Sequence, residues 1–151
     1  MVSIRGARLA CAIVVVAVPA GAQTITDGDT LRINGQAVRL YGIDAPELKQ
    51  RCGAWPAGEL AHEALSSMVV DREVTCEGKG HDRYGRLLAV CKVGSLDLGA
   101  ELVRSGMAWA FTRYSVMYAD QEAEARAGNR GVHQHECVPA WEWRVGRERK
   151  R

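Results

Sequence analysis

Polar and apolar positions alternate over residues 30–33 and 36–41, on either side of Asn34-Gly35. That dipeptide favours a two-residue hairpin turn, so the two segments are expected to pair as antiparallel strands. Over residues 59–70 the spacing changes: Leu60, Ala61, Ala64, Leu65 and Met68 recur at three- and four-residue steps, the mark of an amphipathic helix, with Asp71 at its end. Residues 73–77 and 87–92 read as two further strands, joined by the polar, glycine-bearing stretch 78–86. A second helix is expected over 97–105, with Asp97 favourable in its first turn and Gly106 suited to the left-handed position beyond it. A third is expected over 118–127, stopped by Gly128.

With the few residues before Asp27 adding to a first strand, this order predicts an α+β, mainly β fold. Its form would be a five-stranded OB-fold Greek-key barrel capped by about three helices. The basic run 144–151 reads as a flexible, solvated tail, because a block of like charge cannot bury itself.

The beginning of the chain follows a different logic. Arg5 and Arg8, a ten-residue apolar run over 9–18 and the small residues Ala20-Gly21-Ala22 have the form of a removable signal peptide over 1–22. The run is too short for the ~20 residues that cross a bilayer, so no membrane attachment is expected after its removal. The globular domain would then be 23–143, in a secreted or periplasmic protein. Cys11 would leave with the leader, and the four remaining cysteines, Cys52, Cys76, Cys91 and Cys137, permit disulfides in an oxidising compartment. Centring the second hairpin on Arg83-Tyr84 sets Cys76 opposite Cys91, a register that suits a cross-strand bridge. Two buried thiols are the alternative. Cys52 and Cys137 are left only by elimination, which does not determine connectivity.

With 47% hydrophobic and 25% charged residues in 151, the composition is that of one globular domain. Without Arg5 and Arg8 the 20 basic residues become 18, against 18 acidic ones. A neutral chain lacks the basic excess with which a protein grips duplex DNA along its length, so phosphate binding must be local. His133-Gln134-His135 with Glu136 is better read as a solvated loop than as a metal cluster.

Three segments carry charge that strands do not need: Asp27-Gly28-Asp29-Thr30, residues 39–47 (Arg-Leu-Tyr-Gly-Ile-Asp-Ala-Pro-Glu) and Asp82-Arg83-Tyr84-Gly85-Arg86. Each alone could be a turn, a helix start or a hairpin tip. Together, in this order and spacing, they resemble the staphylococcal nuclease (thermonuclease) family over about residues 24–143. Arg39, followed five residues later by Asp44 and eight later by Glu47, is the most specific part.

The resemblance implies a calcium-dependent endonuclease that hydrolyses DNA or RNA with low sequence specificity and leaves 3′-phosphate ends. Asp29, Asp44 and the carbonyl of Ala45 match its calcium ligands, which are hard oxygens suited to that ion. Glu47 matches the residue that handles the attacking water, and Arg39 and Arg86 the guanidinium groups that clamp phosphate. Arg83 and Tyr84 match positions at the terminal phosphate and nucleotide. The implied partner is single-stranded or frayed nucleic acid, and the implied protein a monomer.

The likeness has gaps. His133 replaces a tryptophan, Gly99 replaces a residue with a side-chain amide, and the family's tyrosine pair has only Phe111, Tyr114 and Tyr118 as candidates. A non-catalytic OB-fold module that binds nucleic acid or protein is the alternative, and a small disulfide-held structural domain is a third. Retention of Arg39, Asp44, Glu47 and Arg86 together weighs against both.

Overall fold

The computed structural model describes residues 15–18 and 23–149. Along the chain run β1 (Val15–Val18), β2 (Gln23–Asp27), β3 (Thr30–Ile33), β4 (Gln36–Leu40), β5 (Ile43–Asp44), α1 (Ala57–Val69), β6 (Val74–His81) and β7 (Leu87–Val93). They are followed by β8 (Leu96–Asp97), α2 (Leu98–Arg104), β9 (Trp109–Ala110), α3 (Ala119–Ala127), a 3-10 turn at Gly131–His133 and α4 (Ala140–Glu148). The main sheet has the order β1-β6-β7-β4-β3-β2, with β8 on β7, and β5 pairs with β9 in a separate ribbon. This is the expected α+β OB-fold, and β2, β3, β4, β6 and β7 are the five strands that the pattern predicts.

The first hairpin turns as its sequence demands, with Asn34 and Gly35 both at positive φ, 49° and 82°. Its register sets Thr30 opposite Arg39 and Leu31 opposite Val38. Leu31, Ile33, Val38 and Leu40 are buried, while Arg39 lies on the other face of β4. β4 then runs parallel to β7, Arg39 beside Leu88, which brings the two halves of the sheet together. In α1, Ala57, Ala61, Leu65 and Val69 form the buried stripe, with Ala64 and Met68 of the expected face only partly buried at its edge.

Cys76 pairs with Cys91 across β6 and β7 and is bridged to it; Cys52 is bridged to Cys137. Asp97 caps α2 by accepting from the Ala100 amide at 3.0 Å, and Gly106 takes the left-handed conformation at φ 74°. Gly99 has a local reason: a Cβ there would come within 2.9 Å of the Tyr118 hydroxyl, which itself donates to Asp97. After α3 the left-handed residue is Asn129, at φ 48°, rather than Gly128.

One expectation about the ends changes. The run from Arg144 is not a free tail: α4 continues to Glu148, because Trp141 packs edge-on against Trp109 and stacks on Phe111, and Cys137 ties the start of the helix down. At the other end, Val15–Val18 of the expected leader pairs antiparallel with β6, Val15 opposite Glu77 and Val18 opposite Val74. Residues 1–14 and 19–22, with Cys11 and the expected cleavage motif, lie outside the described residues, as do 150–151.

The segment between β5 and α1 passes under the first turn of that helix, where the Gly58 amide donates to the Gln50 carbonyl at 3.0 Å. A Cβ on Gly58 would overlap the Glu47 carbonyl oxygen and lie 2.6 Å from the Leu48 carbonyl group, both rigid backbone. Gly58→Ala is therefore expected to destabilise the protein by about 1–3 kcal/mol, the usual range for forced overpacking. Urea denaturation checks this, and unchanged stability would mean that the segment yields freely.

Candidate active site

The site grows from two turns of backbone. Asp27-Gly28-Asp29 closes the link between β2 and β3, and the Asp29 amide donates to Asp27 Oδ1 at 3.1 Å. Gly28 is needed because a Cβ would sit 2.6 Å from the Ala61 Cβ and 2.9 Å from the Ala45 Cβ. That close approach sets α1 and the segment after β5 against the Asp29 turn. The Ala45 amide donates to Asp29 Oδ2 at 3.0 Å, and the Thr30 hydroxyl donates to Asp29 Oδ1 at 2.9 Å.

Arg39 joins the two turns. Its Nη2 donates to Asp29 Oδ2 at 3.0 Å and to Asp44 Oδ1 at 2.8 Å, while Nη1 reaches the Ile43 carbonyl at 3.2 Å. Asp44 is fully buried and Asp29 nearly so. Burial pushes the Asp44 carboxyl above its ordinary value, against the pull of its Arg144 hydrogen bonds. Asp27 is pushed up to about 7, first by burial and then by the charge of Asp29. Burial would lower the Arg39 guanidinium, but Asp29 and Asp44 outweigh it and raise its pKa.

Arg144 is the residue the sequence reading missed. From α4 its Nη2 donates to Asp44 Oδ2 at 2.7 Å, and its Nη1 donates to Glu47 Oε1 at 2.7 Å and Asp44 Oδ1 at 3.2 Å. The available signal was Pro139-Ala140-Trp141-Glu142, a helix start with an acid in its first turn, which would have carried Arg144 into a helix. Gln50, also missed, is a buried brace: its Oε1 accepts from the Glu47 amide at 3.2 Å and its Nε2 donates to the Val138 carbonyl at 2.7 Å.

The structure therefore brings Asp29, Arg39, Asp44, Ala45 and Glu47 together. Arg86 stands at the margin. Its Nε is paired with Asp82 Oδ2 at 2.7 Å, and Nη1 comes only within 3.5 Å of the Thr30 hydroxyl. Arg83 and Tyr84 form the exposed hairpin tip, with Arg83 Nη2 donating to the Tyr84 hydroxyl at 2.6 Å and its guanidinium 4.8 Å from the ring centre. Of the aromatic candidates, Tyr118 is a core residue bonded to Asp97, whereas Phe111 packs against Tyr114 and Trp141. His135 stacks on Trp55 at 4.5 Å.

The arrangement can offer hard anionic oxygens and fixed guanidinium groups to a phosphodiester. Among the described residues no group of three or more His, Cys, Asp or Glu forms a metal cage. Two buried carboxylates nonetheless suit a hard divalent cation whose other ligands are carbonyl, water or substrate oxygens. Positive charge is already drawn to that place, since the Arg144 guanidinium spans Asp44 and Glu47.

Comparison with known proteins agrees with this chemistry. The family model described as staphylococcal nuclease homologue matches residues 37–134. The sequence is 36% identical to Protein ParB of Escherichia coli, over 91% of this chain and 89% of that one. It is 33% identical to a micrococcal nuclease of Shigella flexneri, over 89% and 88% of the two chains. It is also 33% identical to an uncharacterized endonuclease of Escherichia coli O157:H7, over 80% of each. Fold, charged cluster and relatives together define a nuclease, a hydrolase acting on nucleic acid. The chain belongs to the staphylococcal nuclease family.

The Asp27 carboxyl supplies a pH test. Its folded-state value of about 7 lies above the ordinary 3.8, so the folded state binds the extra proton and loses stability as pH rises from about 4 to 7. Asn at this position carries no charge and can still accept from the Asp29 amide. In cation-free buffer, the melting temperature of Asp27→Asn relative to wild type is expected to rise between pH 4.5 and pH 7 and then level off. A difference independent of pH would show that Asp27 ionises normally in the fold.

Proposed function

We propose that this protein is an exported, calcium-dependent nuclease that cuts DNA or RNA with low sequence specificity and leaves 3′-phosphate ends. The observation that carries the reading is the buried pair Asp29 and Asp44, cross-linked by Arg39, with Glu47 at its solvent edge. Calcium would be held by Asp29, Asp44 and the Ala45 carbonyl, and when bound would offset phosphate charge in a site that is otherwise anionic. So sparse a ligand set makes affinity modest in the absence of substrate.

Glu47, half-exposed beside the buried pair, takes a proton from the attacking water. The water oxygen bonds to phosphorus, the bond to the 5′ oxygen breaks, and that oxygen leaves with a proton from solvent. Arg39, locked by two carboxylates, and Arg86, aimed by Asp82, hold the phosphoryl oxygens as charge grows on them. Arg83 and the exposed ring of Tyr84 meet the terminal phosphate and nucleotide. Contacts of this kind read backbone and ring face rather than base edges, which favours single-stranded or frayed substrate bound by a monomer.

Export is supported by the leader pattern and by two disulfides, which belong in an oxidising compartment. No helix among the described residues is long and apolar enough to cross a membrane. Cleavage after Ala22 would remove β1 and leave the outer edge of β6 unpaired. Mass spectrometry of the secreted form is expected to show a chain beginning at Gln23; a chain that retains Val15–Val18 would refute the leader.

The activity test is digestion of denatured DNA on a gel, with calcium and with excess chelator. Digestion is expected with calcium alone, and product 3′ ends should accept a 5′-phosphorylated adaptor in ligation only after removal of the 3′-phosphate. Glu47→Ala is expected to abolish turnover with the fold intact, and substitution of Arg39 or Arg86 to cost roughly a hundred- to a thousandfold in rate. Oligonucleotide binding without cleavage would identify a non-catalytic OB-fold module instead.

A further inference from the structure

Arg144 stands where the proposed chemistry leaves no room for it. Its fork takes both oxygens of Asp44 and one of Glu47, the groups assigned to cation and water. Asp44 is fully buried, whereas the Arg144 side chain is 38% exposed, so the arginine reaches the carboxylates from the solvent side. This is the side from which an ion would enter.

The arm that carries it is held in place. The bridge from Cys52 to Cys137 and the bond from Gln50 to Val138 anchor the chain before α4, and Trp141, three residues before Arg144, stacks on Phe111 at 5.4 Å. Arg144 is thus delivered by a docked helix. On the solvent side it lines a shallow depression with Trp143, Arg147 and Glu148. Glu148, one turn further along α4, offers a second carboxylate there.

We propose that Arg144 is a positioning residue that serves as an internal counter-cation. It neutralises Asp44 and Glu47 while the site is empty of metal, and it must leave Asp44 before a divalent cation can bind. The inference rests on the calcium reading of Asp29 and Asp44. Two consequences follow from competition for the same oxygens. The cation-free site is protected from the repulsion of its own carboxylates, and the apparent affinity for calcium is reduced by the fraction of molecules in which Arg144 is engaged. Release of Glu47 accompanies loading, so the residue assigned to water is freed only when metal arrives.

The test is a calcium titration by calorimetry on the mature protein without nucleic acid, comparing wild type, Arg144→Gln, Arg144→Lys and Asp44→Asn. Near-ultraviolet circular dichroism checks that each is folded. Removing the competitor in Arg144→Gln is expected to tighten calcium binding by about tenfold. Arg144→Lys keeps the charge without the bidentate fork and should fall between. In parallel, Arg144→Gln should melt lower than wild type in chelator and gain more from added calcium. Equal or weaker calcium binding by Arg144→Gln, with Asp44→Asn abolishing the signal, overturns the counter-cation role while leaving the metal site intact. Calcium binding that survives Asp44→Asn, or is absent in every variant, overturns the metal reading and this proposal with it.

Discussion

Everything at this site depends on Arg39 spanning Asp29 and Asp44. Two carboxylates held this close and this dry repel each other and lose their hydration, and either effect alone would favour protonation or a looser fold. The guanidinium resolves the conflict by bonding to both at 3.0 and 2.8 Å, with the Ile43 carbonyl as a further acceptor. Removing one partner from such a buried pair typically costs about 3–5 kcal/mol, because the remaining charge is left uncompensated. The β2–β3 turn, the end of β4 and β5 are therefore one electrostatic unit, and the register that sets Thr30 opposite Arg39 cannot slip without breaking it.

Around that unit the fold uses covalent and apolar ties in different places. Cys76 and Cys91 join neighbouring strands only 15 residues apart, reinforcing a hairpin that already pairs. Cys52 and Cys137 are 85 residues apart, and they fasten the segment after Glu47 to the start of α4. In the chain-entropy view the longer loop gives the larger restriction of the unfolded chain. A nine-residue helix is marginal alone, so α4 owes its place to that bridge, to Gln50 and to the cluster of Trp55, Trp109, Val132, Ala140 and Trp141. The effect is to carry a distant, basic segment back to Asp44 and Glu47.

Most of the local structure was legible in the sequence because it is set by short-range rules. Asn34-Gly35 requires a tight hairpin, the spacing of Ala61 and Leu65 requires one buried helix face, and two-residue alternation places Arg39 on the face opposite Val38 and Leu40. The pairing of Cys76 with Cys91 follows from the register of one hairpin. Arg144 escaped for the converse reason: as part of a run rich in arginine it has the pattern of a solvated end, and its partners lie about a hundred residues earlier. Gln50 is similar, since nothing near it in sequence indicates that Val138 will be its acceptor.

The sequence by itself thus determined the five principal strands, the Asn34-Gly35 turn, the chemical types in the charged segments and the family they resemble. All of these depend on neighbours within a few residues or on motif spacing. Only the tertiary structure decided which charges meet: that Arg39 holds both aspartates, that Arg86 is occupied by Asp82, and that Arg144 covers Asp44 and Glu47. Charge pairing acts through space over a few ångströms, and which groups come that close is settled by the packing of distant segments.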